Sequence, residues 1–212
     1  MTPLRLIVYS DFLCPWCFNA ATKLASVEAV LGDAVAIEWR SFLLRPRPDP
    51  ARRGLAALEK FRHYTKSWLR VAEDEPRAAF RVWQGDAGPP SHSVPAHLAA
   101  KAAAALGELP GRRMRDRLFR AYFAENRDIS DPTALLALWR ELGLPEAAFD
   151  RCADSELLRQ VLADHAEAIE RGATGVPAVC IEGDDFVLTG AQPEAVYLRW
   201  LRRRLDPRAA SA

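Results

Sequence analysis

Leu4-Arg5-Leu6-Ile7-Val8-Tyr9-Ser10-Asp11-Phe12-Leu13-Cys14-Pro15-Trp16-Cys17 is the stretch on which the reading of this chain turns. Its first six residues form a short apolar run ended by Ser10-Asp11, the pattern of a buried strand. Pro15 suits the first position of a helix, where its missing N–H would be unpaired anyway. Beyond it, Ala21, Leu24, Ala25, Val27, Val30 and Leu31 recur at helical spacing, and Gly32 is a fitting stop. Two thiols at i and i+3 therefore meet on one face of a helix's first turn, where a disulfide can close and reopen.

Val35–Phe42 alternates as a second strand, so the opening reads β-α-β. Arg45-Pro46-Arg47-Pro48-Asp49-Pro50 then leads out of this unit. From Arg52 to Arg171 the pattern is helical, with breaks expected at Gly85–Pro90, Gly107–Gly111, Asp128–Pro132 and Gly143-Leu144-Pro145. Asp131 and Ser130 are both candidate caps for the helix beginning at Pro132. Pro177–Ile181 and Phe186–Thr189 flank Glu182-Gly183-Asp184-Asp185 as an antiparallel hairpin, and Pro193–Leu205 closes the pattern as a helix. Arg199–Arg204 reads as a solvated helix end whose charge suits the dipole. The fold class is α/β. A strand entering Cys-x-x-Cys at a helix start is the picture of a thioredoxin-like redox site. Residues 1–45 and 172–212 are read as a thioredoxin-like domain (β-α-β … β-β-α), and residues 46–171 as a large inserted all-helical cap domain.

The thiolate is the attacking species in disulfide exchange, and a helix N-terminus favours it through the dipole and unpaired N–H groups. Cys14 holds that position and is the expected nucleophile. Cys17, a turn further in, is the expected resolving thiol, attacking the Cys14 sulfur of a mixed disulfide. No histidine stands between them, so a less extreme reduction potential is expected. A structural zinc site would need two further ligands at similar spacing, and Cys152 and Cys180 are isolated; no metal is expected. Pro177, alone, would be a trans proline opening a strand. With the cysteine pair upstream it reads as a cis-proline that leaves Val176 backbone groups to pair with an extended substrate. Pro15, Trp16, Val176 and Pro177 are the candidate substrate-binding residues, with Phe12, Leu13 and Phe18 open to readings as apolar rim or as core. Glu38 is open to two readings, proton acceptor for Cys17 or solvent-facing side chain. Asp11, three residues before Cys14, reads first as a strand-ending turn residue, with perturbing the thiolate or capping the turn as the alternatives. Cys180 reads as a buried inert thiol and Cys152 as an exposed one.

The chain has 212 residues, half of them hydrophobic and 27% charged, with a net charge of +1. Nothing in that balance calls for a nucleic-acid or membrane partner, and no apolar run is long enough to span a bilayer. Met1-Thr2-Pro3-Leu4-Arg5 carries one basic residue, and the run after it is too short for a secretory segment. Four cysteines are too few for a disulfide-stapled scaffold of this size. The expected location is cytoplasmic.

The chain resembles the DsbA family, in particular its FrnE-like branch, related to 2-hydroxychromene-2-carboxylate isomerases and kappa-class glutathione transferases. The resemblance runs over nearly the whole chain. It rests on Asp11-Phe12-Leu13-Cys14-Pro15-Trp16-Cys17, Ala96-His97, Leu118-Phe119-Arg120-Ala121-Tyr122-Phe123 with Asp128-Ile129, Gly175-Val176-Pro177 and Gly190-Ala191-Gln192. Phe18 stands where the branch has tyrosine after the motif, and Leu98-Ala99 where it has Arg-Leu. The resemblance implies a thioredoxin fold with an inserted helical domain, Cys14 and Cys17 as the redox pair, and Pro177 as the cis-proline. The isomerase and kappa relatives carry serine at the first cysteine position, so Cys14 favours the oxidoreductase branch.

The expected function is thiol–disulfide oxidoreduction through Cys14 and Cys17, on disulfide- or thiol-containing proteins or small molecules. No tightly bound cofactor is expected, with glutathione admitted as a co-substrate. The oligomeric state is open, a dimer included. The alternative is a glutathione-dependent isomerase or transferase of the same fold. A chaperone-like binding module rests on general apolarity alone.

Overall fold

Alternation along the first strand decides how the layers assemble. In this computed structural model, which describes residues 2–206 apart from residues 53 and 87, β1 (Leu4–Ser10) turns Leu6 and Val8 to one face and Ile7 and Tyr9 to the other. Met1 and residues 207–212, counted with the outer unit above, lie outside the described residues. α1 (Pro15–Leu31) follows, stopped by Gly32 at φ 53°. β2 (Val35–Ser41) pairs parallel with β1, Leu4 opposite Val35 and Ser10 opposite Ser41. At the far end of the chain, β3 (Ala178–Ile181) pairs antiparallel with β1, and β4 (Val187–Thr189) antiparallel with β3. The sheet order is β2-β1-β3-β4.

Leu6, Val8 and Val179 pack under Leu24 and Val27 of α1 and under Tyr197 and Leu201 of α8 (Glu194–Leu205). On the opposite face Ile7, Tyr9 and Cys180 meet Ala168 of α7 (Ser155–Glu170). α7 therefore lies across the sheet although it ends the helical stretch.

Between the β2 and β3 strands the chain forms α2 (Leu55–Thr65), α3 (Trp68–Asp74), α4 (Val94–Ala104), α5 (Glu108–Phe123) and α6 (Pro132–Glu141) before α7. Asp131, and not Ser130, caps α6: its carboxylate accepts from the Thr133 N–H at 3.0 Å. Residues 146–153 form a 3-10 turn. The expected break over Gly107–Gly111 is shorter than its residues suggest, because α5 starts at Glu108. Pro110 lies in the first helical turn, where no N–H is missed. A Cβ on Gly111 would lie 2.9 Å from Ala104 Cα, so glycine there allows α5 to press onto α4.

The helical part is fixed to α1 in two ways. Phe119 and Phe123 of α5 stack on Phe18 at 5.4 and 5.8 Å, and Phe119 meets Phe12 at 5.0 Å. Buried Asn19 donates to the Val71 carbonyl at 2.8 Å, and buried Lys23 pairs with Asp74 at 2.6 Å, which joins α1 to α3.

Candidate functional site

Cys14 is the N-cap of α1, with extended backbone angles (φ −94°, ψ 115°) and Pro15 next in the first turn. Its N–H donates to the Asp11 carbonyl at 3.1 Å, and its own carbonyl accepts the Cys17 N–H at 3.1 Å. Its sulfur faces the Val176 carbonyl at 3.3 Å, with the thiol as donor. The Val176–Pro177 peptide bond is cis. The Pro177 carbonyl accepts from the Gly190 N–H at 2.8 Å. Two segments 162 residues apart thus meet at one sulfur. Both cysteines are free thiols.

Cys17 is wholly enclosed, at 0% exposure. Burial pushes its thiol well above the ordinary cysteine value, and the neighbouring Cys14 sulfur adds to that; the Asp11 N–H and the Ser10 hydroxyl oppose it. Cys14 is 6% exposed but opens onto a groove of ≈ 510 Å³, together with Trp16, which is 40% exposed. Leu13 lines the groove too, whereas Phe12 and Phe18 lie in the core.

Asp11 stands at the end of β1 and caps the motif turn, as its place in the sequence suggests, but it does so from a wholly buried position. Its carboxylate is buried and accepts three hydrogen bonds, from Leu13 N–H (2.7 Å), Leu44 N–H (2.6 Å) and Ser93 Oγ (2.6 Å). It draws together the motif turn, the exit from β2 and the start of α4. Burial pushes its carboxyl from 3.8 up to about 6, against the pull of those donors. The folded protein therefore holds this proton more tightly than the unfolded chain. The stabilisation from that proton is full below about pH 4 and is lost as pH rises through about 6. Thermal unfolding of wild type and Asp11→Asn from pH 4 to pH 7 is expected to shift steadily in favour of the Asn protein. A pH-independent difference would contradict this.

Other sequence candidates stand elsewhere. Partial burial pushes Glu38 up, but Arg40 at 2.7 Å and Arg5 at 2.5 Å outweigh it and hold the carboxyl below its usual range. It is the ion-paired side chain of an edge strand, not a proton acceptor for Cys17. Cys152 is half-buried, and burial pushes its thiol up to about 11. Cys180 is buried in β3. His97 is buried in the first turn of α4, its ring 4.9 Å from Phe12, and burial pushes it down to about 3. Arg45 and Arg70 line the groove beside Cys14 and escape a sequence reading. One follows β2 and the other lies on an unremarkable helix; only folding brings them together. Among the described residues, no group of three or more His, Cys, Asp or Glu is placed to hold a metal ion. No helix among them is long and apolar enough to cross a membrane.

A parallel β-α-β unit and an antiparallel hairpin, sharing one sheet with a dithiol where the first helix begins, make this a thioredoxin-like protein with a large helical insertion. The chain belongs to the DSBA-like thioredoxin domain family, whose profile matches residues 5–201. It is 29% identical over 201 residues to the uncharacterised protein YwbO of Bacillus subtilis (strain 168), across 92% of this chain and 94% of that one. It is similar to the cytosolic disulfide reductase DsbM from Pseudomonas aeruginosa, at 26% identity and TM-score 0.73, covering 99% of this chain and 100% of that one. A second DsbM structure, with GSH, matches at 27% identity and TM-score 0.74, over 94% of this chain and 100% of that one. A 2-hydroxychromene-2-carboxylate isomerase shares the fold, at 18% identity and TM-score 0.67 over 98% of each chain. Oxidoreductases and an isomerase side by side agree with the FrnE-like branch that the motifs resemble. The family and the disulfide reductase likeness place the chain among oxidoreductase-type enzymes.

Proposed function

We propose that this chain is a cytoplasmic thiol–disulfide oxidoreductase in which Cys14 attacks and Cys17 resolves. One observation carries the reading: the Cys14 sulfur stands at the groove, 3.3 Å from the Val176 carbonyl, while Cys17 is sealed one turn behind it. The Cys14 thiolate displaces one thiolate from a substrate disulfide and forms a mixed disulfide. Cys17, once deprotonated, attacks the Cys14 sulfur and releases the second thiolate. The protein is left with a Cys14–Cys17 disulfide, and the substrate has taken up two electrons as two thiols. The reverse sequence oxidises a substrate dithiol. Forming the mixed disulfide removes the Cys14 S–H donor, which releases the Val176 carbonyl to accept from a substrate N–H. Trp16 and Pro15 form the apolar lip against which the substrate lies. The substrate is a protein or a small molecule bearing a disulfide or thiols.

We also propose that the described residues of 1–45 and 172–212 form the sheet unit and those of 46–171 the insertion, with α7 as its connection back to the sheet. The cytoplasmic assignment takes its support from the cytosolic DsbM likeness.

Cys17→Ser tests the exchange reading. Mixed with a small-molecule disulfide, it is expected to stop as a stable adduct on Cys14, seen by intact mass, while wild type passes on to its internal disulfide. Failure to form any adduct would sink the proposal. The similarity to the DsbM structure with GSH favours a second reading, in which glutathione is held for transfer to an electrophile. In that case Cys17→Ser would keep full turnover on the electrophile.

A further inference from the structure

Between β2, α4 and α5 lies a hollow of ≈ 270 Å³ that shares no lining residue with the groove at Cys14. Its origin is residue size. α4 presents Ala100 and Ala104 to it and α5 presents Gly111, which leaves space opposite Ile37 and Trp39 of β2. Small-molecule sites begin at about this size, ~300 Å³. The charges around the hollow are already matched. Lys101 pairs with Asp164 at 2.6 Å, Arg112 with Glu28 at 2.6 Å, and Arg40 with Glu38 at 2.7 Å. Arg115 lies 4.5 Å over the Trp39 ring and pairs with Asp116 at 3.0 Å. An ionised ligand would find no free counter-charge there. One polar atom is unmatched. His97 lines the hollow at 4% exposure, and its Nε2 is buried with no hydrogen-bond partner among the described residues. The ring is neutral near pH 7, because burial first and Lys101 next hold it at about 3 against the Phe42 backbone. A neutral imidazole has one N–H and one bare nitrogen, so a hydroxyl, which donates or accepts, completes Nε2 in either tautomer. A buried polar atom without a partner costs free energy that such a hydroxyl recovers.

We propose that this hollow binds a small uncharged phenol, its ring against Trp39 and Phe12 and its hydroxyl on His97 Nε2. An aromatic ring suits these walls because two of them are themselves aromatic, and ring pairs gain beyond the area they bury. The site is separate from Cys14, and the inference stands or falls independently of the exchange reading.

The test is an NMR titration of the reduced, isotope-labelled protein with 4-ethylphenol, ethylbenzene and 4-ethylbenzoate. In wild type 4-ethylphenol is expected to saturate with a Kd at or below about 1 mM and to move the His97 Nε2 resonance. 4-Ethylbenzoate should bind at least about tenfold more weakly, because its charge would be buried unpaired. His97→Phe keeps an aromatic ring in place. It should weaken 4-ethylphenol by about three- to tenfold, the scale of one neutral hydrogen bond, and leave ethylbenzene within about twofold. Ala100→Leu fills the hollow and should abolish binding of both. No saturable binding of 4-ethylphenol, equal binding of the benzoate, or a phenol affinity unchanged in either variant overturns the inference. Should the variants fail to fold, wild type decides: an Nε2 resonance that stays in place at saturating 4-ethylphenol overturns it too.

Discussion

Cys14→Ser is expected to lower disulfide exchange by at least about a thousandfold, because serine's hydroxyl is not ionised near neutral pH and cannot form a mixed disulfide. Cys17 cannot take over, since it is wholly buried and its thiol resists ionisation. The same substitution should leave the fold intact. Residue 14 is the N-cap of α1, and the cysteine side chain makes no capping hydrogen bond there. Serine is a favoured N-cap, so the variant is expected to unfold at or above the wild-type temperature. Rates with a small-molecule disulfide, taken beside a thermal melt, check both halves. Activity above a hundredth of wild type in a well-folded Cys14→Ser protein would remove Cys14 from the attacking role.

Phe119→Ala is expected to cost about 3–5 kcal/mol of stability. Phe119 is fully buried on α5 and touches Phe12 on the motif turn and Phe18 on α1, so it joins the helical insertion to the helix that carries the cysteines. Its loss leaves a cavity between two bodies that cannot collapse without moving α1. Each aromatic contact adds about 0.5–1.5 kcal/mol beyond burial. Phe119→Leu should cost clearly less, since it keeps most of the volume. Urea unfolding of both variants is the check. A loss below about 1 kcal/mol for the alanine variant, the scale of an ordinary substitution, would show that α5 is not the anchor.

The parts of the fold built from local pattern were legible in the residues. Leu4–Tyr9, Pro15 and Gly32 mark β1 and the limits of α1, and the turn at Gly183 marks the hairpin. The start of α5 was not, because Pro110 and Gly111 look like breakers until Ala104 is seen against Gly111. The packing of α7 was not either. An amphipathic stripe shows that a face is buried but not whether sheet or helices bury it. In the site, the meeting of the Cys14–Cys17 turn with Val176-Pro177 was legible from short spacing and residue type. The long-range bonds of Asp11, and Arg45 and Arg70 altogether, were not. Their partners are Leu44, Ser93 and one another's groove wall, contacts made only by tertiary folding.

The insertion leaves the sheet after Ser41 and returns before Ala178. Their partners on β1 are the neighbouring residues Ser10 and Tyr9. Both ends of a long excursion are thus held at the strand end that runs into the cysteine motif. With α7 kept on the sheet and Phe119 kept on Phe18, changing the loops of the excursion would leave strand register untouched and alter the walls around Cys14. Such an arrangement lets selection, or an engineer, rewrite what the sulfur meets without rewriting the sulfur chemistry.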